Sequence, residues 1–137
     1  MINSIDINLI RSMCDKANLA TTVDNDGDLY LLLNADQDYG HNVIVFFSVT
    51  DNKWLRTFAM TDMEIPQNRL GDAMVRVNRY NEKNYLMKAY ITENGRLFVE
   101  RNELIDENVS EEFVINNCVK IFPPAAWSFF KEYFGNF

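Results

Sequence analysis

The run Val43-Ile44-Val45-Phe46-Phe47, closed by polar turns on both sides, constrains this chain most. Five successive apolar residues leave no polar face, which predicts a strand buried on both sides at the centre of a sheet. Neighbouring segments read as its partners. Residues 20–23 and 29–33 are β-rich and flank Asp24-Asn25-Asp26-Gly27-Asp28. That stretch is a turn, because Gly and Asn accept positive φ and Asp bonds to nearby backbone. Residues 37–41 form a second polar loop. Asp51-Asn52 turns the chain into residues 54–60, where Trp54, Phe58 and Met60 alternate with Leu55, Thr57 and Ala59. Short links between successive strands imply antiparallel pairing.

Helices frame this sheet. Ile5, Leu9, Ile10, Met13, Cys14 and Ala17 recur at helical spacing, with Ser4 as cap, Asp6 in the first turn and Asn18 as stop. A second helix starts near Pro66, a residue suited to the first helical turn. Its inward stripe is Leu70, Ala73, Met74 and Val77, extended by Tyr80 and Asn81. Residues 85–92 and 96–101 then form a hairpin around Asn94-Gly95, which predicts a two-residue turn with positive φ at both positions. A last helix is capped by Ser110, with Glu111 and Glu112 at its positive end and Val109 stapled onto Val114. Phe113, Val114, Asn117, Cys118 and Ile121 carry it inward until Pro123-Pro124 breaks it; residues 125–134 resume as an aromatic helix. The order α-β-β-β-β-α-β-β-α describes an α+β fold, a mostly antiparallel sheet with N-terminal, central and C-terminal helices, in one domain spanning residues 1–137.

The second half carries a resemblance. Val77-Asn78-Arg79-Tyr80-Asn81 closes the second helix and Tyr85-Leu86-Met87-Lys88-Ala89-Tyr90-Ile91 follows. Then come Asn94-Gly95-Arg96-Leu97-Phe98-Val99-Glu100 and the helix start Val109-Ser110-Glu111-Glu112. This pattern resembles the bacterial sensory transduction regulator (YbjN-type) family, which is similar in fold to class I type III secretion chaperones. The resemblance implies a binding or regulatory protein without catalytic residues, able to form a homodimer. It implies no cofactor.

Charge and chemistry narrow the function further. The formal charge of −7 disfavours nucleic acid and anionic membranes and suits a partner carrying positive charge. The longest uncharged run is too short to span a bilayer, and the opening residues lack the basic start of a signal peptide, so a cytoplasmic location is expected. Cys14 and Cys118 lie far apart and read as small buried hydrophobes rather than a disulfide. The single histidine, His41, makes a zinc site unexpected. Asp24, Asp26 and Asp28 imitate a calcium loop, but Gly27 falls at loop position four and Ala35 at position twelve, where an EF-hand needs glycine at six and glutamate at twelve. No nucleophile elbow, HExxH, phosphate loop or dinucleotide fingerprint is present.

Candidate binding residues therefore come from the surface pattern. Trp127, Phe129, Phe130, Tyr133, Phe134 and Phe137 spread too widely around a helix for one buried stripe, which predicts that some face a partner or a second copy. Asn78 and Asn81 lie one turn apart and can orient a peptide backbone, or terminate the helix and bond to the hairpin. Arg69, Arg76, Arg79 and Lys83 share one side of the second helix with Asp72, either as a grip for acidic groups or as a solvated face. The expectation is a non-enzymatic, chaperone-like protein-binding or regulatory domain. The alternatives are an acidic immunity protein that neutralises a basic toxin and, further off, an enzyme of unrecognised type.

Overall fold

The computed structural model describes residues 1–137. Six strands form one sheet: β1 (Thr22–Val23), β2 (Leu29–Leu33), β3 (Val43–Thr50), β4 (Trp54–Thr61), β5 (Lys88–Ile91) and β6 (Leu97–Leu104). Their order is β1-β2-β3-β4-β6-β5, and every neighbouring pair is antiparallel. The helices are α1 (Ile7–Lys16), α2 (Leu70–Lys83), the short α3 (Glu111–Val114) and α4 (Phe122–Phe134). The fold is α+β, with the expected order of elements.

Local chemistry explains most boundaries. Asp6, rather than Ser4, caps α1: its side chain accepts the Leu9 N–H at 2.8 Å. Asn18 leaves the helix at φ 59°, a conformation Asn tolerates. Asp51 and Asn52 both take positive φ, 56° and 57°, and so close the tight β3–β4 hairpin. At Asn94-Gly95 only Gly95 is left-handed, at φ 76°. Gly95 N–H bonds to Thr92 O and Thr92 N–H to Arg96 O, giving a three-residue loop instead of the expected two-residue turn. The β1–β2 loop repeats this geometry: Gly27 has φ 84°, and Asp24 Oδ1 accepts from Asp26 and Asp28 N–H at 2.9 and 3.0 Å.

Ser110 caps α3, accepting the Phe113 N–H at 3.0 Å. The helix then widens into a π turn, Ile115–Val119. The inserted residue rotates the side chains that follow, so Cys118, Val119 and Phe122 reach the core while Ile121, expected inside, stays exposed. Phe113, ahead of the π turn and also expected inside, is exposed as well. Pro123 and Pro124 sit in the first turn of α4, where their missing N–H groups have no helical partner to lose.

The core lies on one face of the sheet. Val43, Val45 and Phe47 of β3, Leu55 and Ala59 of β4, and Leu97 and Val99 of β6 are all buried there. Ile10, Met13 and Cys14 of α1, Ala73, Val77 and Tyr80 of α2, and Phe129, Phe130 and Phe134 of α4 belong to the same cluster. Leu70 and Met74, expected on the inward stripe of α2, are exposed. Cys14 and Cys118 are free thiols in the core. Desolvation pushes them up to about 12 and about 11 respectively.

The second face of β3 differs from the sequence expectation. Ile44 and Phe46 are only half-buried, because no helix covers that side. Uninterrupted apolarity here reflects an aromatic outer face rather than burial on both sides.

Candidate functional site

Alternation along the strands sends every second side chain to the uncovered face. Register then aligns them. Tyr30, Phe46 and Phe58 stand opposite one another on β2, β3 and β4, and the row continues through Glu100 of β6 to Lys88 of β5. Beside it runs a second row, Leu32, Ile44, Met60, Phe98 and Tyr90. Phe46 and Phe58 stack at 4.9 Å and 12°, and Phe98 and Tyr90 at 5.4 Å and 5°. Tyr30 to Phe46 (6.3 Å) and Phe58 to Phe98 (6.5 Å) link them into one continuous aromatic band across five strands. All five rings are half-buried, each sheltered by its neighbours and open outward.

Charged groups are set into this band. Glu100 is a buried carboxylate, 3.1 Å from Lys88 Nζ and 3.4 Å from the Tyr90 hydroxyl. Desolvation, then the Glu100 charge, raises the Tyr90 hydroxyl above its usual range. The Arg56 guanidinium lies 5.6 Å from the centre of the Phe58 ring. Further along the same face, Trp54 and Leu104 stand opposite each other and are exposed.

The residues expected to bind a partner have other surroundings. Phe129, Phe130 and Phe134 are at most 1% exposed, so these rings present no surface. Phe129 packs edge-on to Tyr80 at 4.5 Å, and Phe130 stacks on Tyr39 at 5.8 Å. Trp127 and Tyr133 are half-buried, Trp127 edge-on to Tyr39 and Tyr133 edge-on to Tyr80. Periodicity did not reveal this because α4 packs against both the sheet and α2, which widens its apolar surface beyond one stripe.

The arginines of α2 grip their own chain. Arg76 donates to Tyr133 O at 2.9 Å and Asn136 Oδ1 at 3.0 Å. Arg69 donates to Phe137 O and lies 3.8 Å over the Phe137 ring. Asp72 holds both arginines, at 2.6 and 3.2 Å, and hydrogen bonds from Arg69 and then Arg76 lower its carboxyl below the usual range. Asn81 is bonded to the backbone of β5, whereas Asn78 is exposed and lines an open groove of about 620 Å³ between α2 and β5.

The outer band escaped sequence reading although its signal was present. Tyr30, Phe46, Phe58 and Phe98 share one face once the hairpin turns fix the register.

The model of the family described as "Putative bacterial sensory transduction regulator", YbjN, matches residues 6–120. The chain belongs to the YbjN family. No curated protein matches it. The match covers all six strands and α1 to α3, so this YbjN domain carries its aromatic band within the family core; α4 lies beyond the matched residues. The family description is regulatory and names no reaction. No group of three or more His, Cys, Asp or Glu stands close enough to hold a metal ion, and no helix is long and apolar enough to cross a membrane.

Proposed function

We propose that this YbjN domain is a non-catalytic regulatory module that binds another protein through the uncovered face of its sheet. The aromatic band from Tyr30 to Tyr90 carries this reading. A contiguous apolar surface of this kind on a soluble domain marks an interaction site, and covering it releases roughly 25 cal/mol per Å² of apolar area. Aromatic rings with few rotatable bonds lose little entropy on docking. Arg56 and Lys88 supply charge at the band, which sets register and partner choice more than affinity.

The sheet is the scaffold, as in a secretion-chaperone-like fold, and the C-terminal aromatic residues stabilise it from behind. A second copy of the chain could supply the same surface, and sedimentation distinguishes a homodimer from a heterologous complex. The experiment is co-purification from the native cytoplasm with Phe46→Thr and Phe58→Thr variants beside the parent. A partner retained by the parent and lost from both folded variants supports the reading; retention by both overturns it.

A further inference from the structure

On the helical side of the sheet, away from the aromatic band, lies a cavity of about 270 Å³. The C-terminal turn of α2, residues 84–87 and the first turns of α4 enclose it. Its walls are mainly apolar, with Met87, Phe122 and Ala125 among them. Three polar residues line it, Lys83, Asn84 and Arg101, together with the hydroxyl-bearing Tyr80 and Tyr85. No acidic residue does, although the chain has twenty Asp and Glu against thirteen Lys and Arg.

The polar groups are incompletely used. Tyr80 is 3% exposed, and its hydroxyl has no hydrogen-bond partner. A buried donor left unpaired is costly and uncommon in a native core. The Arg101 side chain is 10% exposed and donates to Asn117 O and, at 3.5 Å, to Glu103. A guanidinium has five N–H donors, so several remain. Lys83 forms no ion pair. Tyr85 and Leu86, at the edge of the cavity, are 98% and 63% exposed.

We propose that this cavity binds a small carboxylate with an apolar or aromatic body. The carboxylate meets Arg101 and Lys83, since a guanidinium matches its two oxygens, and the body lies against Phe122, Ala125 and Met87. The volume is near the lower end of ligand pockets, which limits the body to about one ring or a short alkyl chain. Tyr85 and Leu86 gain apolar contact when it is filled.

The test is an amide-resolved NMR titration of the full chain with 3-phenylpropionate, and separately with its neutral amide. The expected result is saturable shifts at residues 80–87, 101 and 121–125, with the acid bound roughly tenfold more tightly than the amide. Lys83→Gln, a surface change that leaves folding intact, narrows that difference, and Ala125→Met fills the cavity and removes both responses. Absence of saturable shifts up to about 10 mM, equal affinity for acid and amide, or an unaltered response in Ala125→Met overturns the proposal. None of these outcomes bears on partner binding by the opposite face of the sheet.

Discussion

The Asn81 side chain hydrogen-bonds both backbone groups of Ala89: its amide donates to Ala89 O at 3.0 Å, and its oxygen accepts the Ala89 N–H at 2.8 Å. Ala89 lies on β5, the outermost strand, whose free edge would otherwise present unpaired donors and acceptors. One side chain of α2 thus replaces a neighbouring strand at a single residue and ties helix to sheet. Asn81→Ala should lower stability by roughly 1–3 kcal/mol, because both groups of Ala89 lose their partner. Urea unfolding checks this, with an unchanged denaturant slope expected.

Two buried tyrosines should respond oppositely to loss of the hydroxyl. Tyr39 shares a 2.5 Å hydrogen bond with Thr61, whose Oγ1 also accepts the Met63 N–H at 3.1 Å. Tyr39→Phe should cost about 1–2 kcal/mol by leaving Thr61 short of a partner. The Tyr80 hydroxyl bonds to nothing, so Tyr80→Phe should be neutral or stabilising. Thermal unfolding of the two variants in parallel measures the difference.

Alkaline pH should weaken the fold through the same pair. Desolvation pushes both phenols from an ordinary 10.0 up to about 12. The unfolded chain therefore releases these protons first, and across that interval the folded state binds more of them. Their stabilising contribution is fully present below pH 10.0 and is lost as pH rises through about 12. Unfolding midpoints measured across this range should fall, and less steeply in Tyr80→Phe.

Cys14 and Cys118 should resist alkylation in the native protein at about pH 8 and react together on unfolding, because burial disfavours the thiolate. Mass spectrometry after a timed exposure to iodoacetamide resolves the two sites. Fast labelling of either one in native buffer would contradict its placement in the core.

Much of this architecture is legible in the sequence. The bounds of β2, the cap at Ser110 and the stop of α1 near Asn18 follow from local rules that involve few neighbours, whereas Pro123-Pro124, read as a break before a helix at 125, in fact lie inside the first turn of α4. What stays hidden depends on tertiary placement. The run from Val43 to Phe47 does not tell whether a helix covers its outer face. The C-terminal rings read as excess surface because α2 and the sheet, which enclose them, are distant in sequence. Tyr80, Arg101 and Phe122 come from three separate elements, so their shared cavity has no sequence spacing to betray it.

Photocrosslinking from the sheet face tests the central claim most directly. A photoreactive phenylalanine analogue placed at position 58, within the band, is compared in living cells with one at position 113, which is 45% exposed on α3 and outside the band. A discrete protein adduct from position 58 and none from position 113 is the expected result. Adducts from position 113 alone, with position 58 reacting only with solvent, would contradict the sheet face as the binding surface.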